Sequence, residues 1–139
     1  MLLRSLSYTV MTRTSKPTTA ELEILDVLWE KQRATVREIH EAIGERRPTA
    51  YTTVLKLLQI MHGKGLVRRD EKDRAHIYKP AQTQRQTQKN LVTDLLDKAF
   101  RGSALKLVQH VLETKPATPE ELAEIRRLIA EAEQRGEKK

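Results

Sequence analysis

The chain has 139 residues, enough for one domain or a small domain with an appendage, and too few for a large core. Its net charge is +7 and its sequence pI about 9.8, a basic balance that points to a nucleic-acid or anionic-surface partner. It contains no cysteine, which excludes disulfides, thiol catalysis and thiolate metal sites. No apolar run nears the ~20 residues of a membrane span, so no membrane insertion is expected.

The first stretch, MLLRSLSYTV, is too short and too polar for a signal peptide. Residues 1–16 read as a disordered tail in which Met11 offers an alternative start, and Arg4, Arg13 and Lys16 add a weak pull toward phosphate. A cytoplasmic location fits both this and the missing cysteines. The first helix is expected from Thr18 or Thr19, because Thr18-x-x-Glu21 has the form of a capping box. Leu22, Leu25, Leu28 and Trp29 make its buried stripe, with Ile24 beside it. Thr35-x-x-Glu38 repeats the device for a second helix, with Val36, Ile39 and Ile43 inward and Gly44 as its stop. Arg37, in the first turn of that helix, is either a phosphate clamp or a solvated arginine.

The stretch Arg46–Pro80 organises the rest. From Arg46 to Arg69 there are basic residues (Arg46, Arg47, Lys56, Lys64, Arg68, Arg69) and no acid, directly after a segment, Glu21–Glu45, with seven acids against three bases. Such segregation favours a positive face aimed at an anion. Tyr51, Val54, Leu55, Leu58 and Met61 recur at helical spacing and form one apolar face, with Thr49 as the expected N-cap. Thr49, Thr52, Thr53, Lys56 and Gln59 fall on the other side, a short, polar, acid-free face that can approach phosphates and base edges. Gly65 closes the helix in the left-handed conformation. Residues 66–69 and 74–78 then read as the two strands of a hairpin around the turn Asp70-Glu71-Lys72-Asp73, ended by Pro80. Lys72 and Arg74 form the wing tip, where Arg74 either touches phosphate or a narrow minor groove or pairs with Asp70 or Asp73.

After Pro80 the composition shifts. Residues 81–90, AQTQRQTQKN, are a linker or the exposed first turns of a helix. Leu91, Val92, Leu95, Leu96, Ala99 and Phe100 give a helical stripe that Gly102 breaks; Ala104, Leu105, Leu107, Val108, Val111 and Leu112 give another. Thr118-Pro119-Glu120-Glu121 caps a last helix with Leu122, Ile125, Leu128, Ile129 and Ala132 on one side. Three such helices cannot bury this much aliphatic surface alone, so they call for a second copy of the chain or an intramolecular cap on the first domain.

The expected architecture is mainly α: a winged helix-turn-helix over residues 17–80 with a small β-hairpin wing, a helical dimerisation region over 81–135, and a frayed tail at 136–139. Its expected work is sequence-specific binding of double-stranded DNA by a homodimer, with a protein-interaction module docking on an acidic partner as the rival reading. RNA readout lacks a stacking platform. His40, His62, His76 and His110 are scattered without metal-ligand spacing or a nucleophile, and no glycine-rich phosphate loop occurs, so no enzyme, metal or cofactor is expected.

The strings TAELEILDVLWE, TVREIHEAI, PTAYTTVLKLLQIMHGKGLVRR and DRAHIYKP together resemble the penicillinase-repressor family (BlaI/MecI-like, with copper-responsive CopY-like relatives) over about residues 17–133. The resemblance implies a homodimeric repressor on an inverted-repeat operator, with DNA contacts from Thr52, Thr53, Lys56 and Arg74 and C-terminal helices exchanged between subunits. It makes a membrane sensor protease, or another signal-transducing protein, an expected partner. The copper-responsive branch uses a C-terminal cysteine cluster that this chain lacks. The β-lactam-responsive branch is inactivated by cleavage at an Asn-Phe bond, for which Gln109-His110 is the nearest match.

Overall fold

The computed structural model describes residues 16–71 and 75–137. The expectations placed on residues 1–15, on Lys72 and Arg74, and on the last two residues lie outside them. The elements are α1 (Thr19–Lys31), β1 (Ala34–Thr35), α2 (Val36–Arg46), α3 (Tyr51–Lys64), β2 (Val67–Asp70), β3 (Ile77–Pro80), α4 (Gln84–Phe100), α5 (Ala104–Thr114) and α6 (Pro119–Glu137). They fall into two compact units that divide between Leu91 and Val92, inside α4.

The first unit is a winged helix-turn-helix. Both predicted capping boxes form. Thr18 and Glu21 exchange hydrogen bonds at 3.2 and 2.9 Å, and Thr35 and Glu38 do so at 3.2 and 2.8 Å. The Thr35 amide first, then its hydroxyl, hold the Glu38 carboxyl below the ordinary carboxylate value. Each box satisfies two backbone donors that a helix start leaves orphaned. Ile24, Leu25, Val27 and Leu28 of α1 pack with Val36, Ile39 and Ile43 of α2 and Val54, Leu58 and Met61 of α3, closed by Val67 and Tyr78 of the sheet.

The wing has three strands where the sequence predicts two, in the order β1-β3-β2, all antiparallel. The added strand is Ala34–Thr35. An N-cap residue is extended (Thr35 has φ −79°, ψ 166°), so the same backbone that caps α2 can also pair with β3. The third strand starts at Ile77 rather than Arg74, and the second ends at Asp70. Gly44 does not stop α2. The helix runs on to Arg46, and an interior glycine costing about 1 kcal/mol is tolerated because Val36, Ile39 and Ile43 are buried and the Arg47 amide bonds back to the Ile43 carbonyl.

Gly65 does close α3, at φ +80°. A β-carbon there meets no neighbour within 4 Å, so the penalty of a substitution is conformational alone. Gly65→Ala is expected to destabilise the fold by about 1 kcal/mol, read by chemical denaturation. A loss well above that would place hidden packing at this turn.

Residues 81–90 are not a linker. Thr83 and Gln86 form a reciprocal cap, each bond 3.1 Å, that starts α4, and Thr87 in its first turn is buried. Trp29 Nε1–H donates to the Gln82 carbonyl at 3.0 Å and is packed on the core, as expected of an anchor.

In the second unit, Arg101 and Gly102 take positive φ, and the Gly102 amide returns to the Leu96 carbonyl at 2.9 Å to close α4. Ser103 caps α5, and the Thr118 hydroxyl caps α6, which extends past Gly136 to Glu137. Leu95, Leu105, Val108, Leu112, Leu128 and Ile129 are exposed; Leu96, Phe100, Leu122 and Ile125 are half-buried, as is Leu91 at the end of the first unit. No described helix is long and apolar enough to cross a membrane.

Candidate nucleic-acid interface

The face of α3 opposite its core side carries Thr52, Thr53, Lys56 and Gln59, all exposed. Val54, Leu58 and Met61, at the complementary positions, are buried and fix the rotation of the helix. A helix whose inner stripe is locked in this way presents its polar stripe in one orientation. The acid-free character predicted for the face holds along the whole of α3.

The charge segregation works differently in three dimensions. Three of the cations of the basic stretch face the acidic helix α1: Arg46 Nη2 lies 2.9 Å from Asp26, Arg47 Nη1 2.5 Å from Glu23, and Lys64 Nζ 2.9 Å from Glu21. The acidic and basic segments therefore neutralise each other in part and stitch α1 to α2 and α3. Arg46 and Arg47, expected at DNA, sit in these pairs. Both remain exposed, and pairs of that kind are worth about 0–1 kcal/mol, so either arginine can exchange its carboxylate for a phosphate. Arg37 is fully on the surface of α2, 3.4 Å from Glu41.

Arg69 belongs to the wing's own framework. Its guanidinium is held above its ordinary value, first by its hydrogen bond to the Tyr78 hydroxyl and then by Glu71, 3.5 Å away. Arg68, its neighbour on β2, is exposed.

Thr49 does not cap α3. Its hydroxyl donates backward to the Arg47 carbonyl at 3.1 Å, and the N-cap is Ala50, which has no side-chain acceptor. The first amides of α3 thus lack the side-chain partner that α1 and α2 possess, and a helix start of this kind accommodates anionic oxygens. Spacing puts Tyr51 on the apolar face, yet it is 45% exposed. Ile60 is exposed as well, one turn beyond Lys56. The signal that could have separated Tyr51 from the core residues is its place at the first helical position, where no earlier turn of α3 covers it.

Gln109 and His110 are exposed in the middle of α5. Cleavage between them would require that helix to unwind locally, because a protease takes an extended chain. Among the described residues no group of acidic and histidine side chains could hold a metal ion.

The model of the penicillinase repressor family matches residues 17–131. The chain is 37% identical over 115 residues to the transcriptional regulator BlaI of Mycobacterium tuberculosis, covering 81% of this chain and 82% of that protein. It is 21% identical over 117 residues to the methicillin resistance regulatory protein MecI of Mammaliicoccus sciuri, covering 84% and 95%. Among solved structures it is similar to a homodimeric winged helix-turn-helix DNA-binding domain from Mycobacterium bovis, a possible ArsR-family transcriptional regulator. The TM-score is 0.50, with 22% identity over 70% of this chain and 85% of that one, a likeness of fold alone.

Proposed function

Because the chain belongs to the penicillinase-repressor family, we propose that it is a homodimeric, sequence-specific transcriptional repressor that lays α3 in the major groove of each half of an inverted-repeat operator. The observation that carries this reading is the exposed, acid-free face of Thr52, Thr53, Lys56 and Gln59 on a helix rotationally locked by its buried stripe. Threonine offers a methyl to thymine and a hydroxyl of either polarity, and Lys56 reaches guanine or phosphate. Arg37, Arg46, Arg47 and Thr49 supply backbone contacts around this face, and the wing residues Lys72 and Arg74 extend it. The domains are a DNA reader whose compact unit runs through the start of α4 to Leu91, rather than ending at Pro80, and a dimerising helical region after it. The protein works in the cytoplasm, where a sensor protease or another signalling protein relieves repression.

The test is a mobility-shift titration against the chain's own upstream DNA, at low and moderate salt, with unrelated duplex as competitor. A specific operator survives the competitor and saturates at one dimer per site. Lys56→Ala, which removes one cation from each subunit of the dimer, is expected to make the dependence of log affinity on log salt shallower by about two units, whereas Thr53→Ala leaves that slope alone and relaxes preference at one base step by about 1–3 kcal/mol. Parent-like binding by both variants would move the reading face elsewhere. Loss of the shift to competitor would favour a protein-docking role for the basic surface.

A further inference from the structure

We propose that Tyr51 is a further DNA-contacting residue whose hydroxyl donates to a backbone phosphate, and that His40 is the residue that positions it. This rests on the DNA-binding reading above. Tyr51 opens α3 and adjoins Thr52 at the N-terminal end of the reading face, the end that a recognition helix presents to base edges. A helical side chain leans toward the helix N-terminus, so at the first position it overhangs the helix end and needs support from another element.

His40 of α2 gives that support. The two rings meet edge to face, with centroids 5.5 Å apart and planes 80° from parallel. His40 is half-buried, and its Nε2 lies 2.7 Å from the Thr49 carbonyl. A carbonyl only accepts, so Nε2 carries the hydrogen. One imidazole therefore ties down the turn before α3 and braces the first side chain on it. A core tyrosine would be covered, and a stray surface tyrosine would not be braced by a side chain itself bonded to the backbone. A braced aromatic loses little conformational freedom on binding, and a tyrosine hydroxyl is one of the ordinary donors to phosphate oxygen.

The experiment uses the full chain with its upstream DNA and with an unrelated duplex at low salt. Tyr51→Phe is expected to bind both duplexes about tenfold more weakly, with the salt slope unchanged because no charge is lost. His40→Ala should bind about fivefold more weakly, and His40→Gln, whose amide can donate to the Thr49 carbonyl, should return to within about twofold of the parent. In the Tyr51→Phe background, His40→Ala should add less than about a twofold loss, the coupling expected of a residue that acts through its neighbour. Melting temperatures close to the parent's establish that each variant is folded. Parent-like binding by Tyr51→Phe overturns the phosphate contact. Additive losses, or His40→Gln no better than His40→Ala, overturn the positioning role. A parent protein that binds neither duplex overturns the DNA reading itself, and this proposal with it.

Discussion

Leu128→Asp is expected to leave the protein monomeric and to weaken its binding to a two-half-site operator by about a hundredfold or more, while a single half-site is bound as before. Leu128 and Ile129 are each 53% exposed on α6, and Leu105 on α5 is 77% exposed. Surface leucines occur singly in most proteins, but here Leu95, Val108, Val111 and Leu112 are exposed in the same unit. A helical unit with that much uncovered aliphatic surface is incomplete as a single chain. Burying one such side chain contributes about 1.5–3 kcal/mol, so a few suffice for a stable dimer. A carboxylate placed among them would have to be desolvated without a partner, which the dimer cannot recover. In the proposed dimer the second copy also places the second α3, and joining two readers would convert the second half-site encounter into an intramolecular one. Sedimentation equilibrium and operator titration of the variant would check this. Since Leu128 is exposed in the single chain, the variant should keep its helical content. An unchanged dimer would remove α6 from the interface.

The capping boxes and the core stripe of α3 were legible in the local sequence. The boxes Thr18-x-x-Glu21 and Thr35-x-x-Glu38 need only residues three apart, and both form. The locked stripe of Val54, Leu58 and Met61, with Thr52, Thr53 and Lys56 opposite, follows from helical period alone. Part of what failed depended on distant partners, and part on helix starts, where periodicity and residue type say little. The pairing of Arg46 with Asp26 spans twenty positions, and nothing local tells a cation bound for phosphate from one bound for a neighbouring helix. Thr49 had the residue type of a cap, but its hydroxyl turned back to Arg47. Ala34–Thr35 is too short to show strand periodicity and becomes a strand only because β3 lies beside it. Tyr51 obeyed the apolar spacing and still points out, because periodicity describes a helix interior and not its first turn.

The second large effect lies in the same acidic-to-basic stitching. Lys64→Met is expected to cost about 3 kcal/mol or more, lowering the melting temperature by roughly 12–24 °C, whereas Glu21→Leu combined with Lys64→Met should recover most of that loss. The Glu21 side chain is only 2% exposed. Its carboxylate accepts from the Thr18 amide at 2.9 Å and from Lys64 Nζ at 2.9 and 3.1 Å. Removing the lysine leaves the buried carboxylate with the Thr18 amide as donor and without its cation, and the cost is that of an uncompensated buried charge rather than the worth of the pair. Removing both partners forfeits the cap bond at Thr18, about 1 kcal/mol, and substitutes apolar contact for the rest. Thermal denaturation of the three proteins side by side would decide it, and a single variant no less stable than the double would mean that Glu21 is not held as a buried ion. The same pair makes a functional distinction. Lys64 places its charge inside the fold, so well below its melting temperature Lys64→Met should bind DNA with the parent's salt slope, unlike Lys56→Ala, whose lysine is exposed on the proposed DNA-binding face.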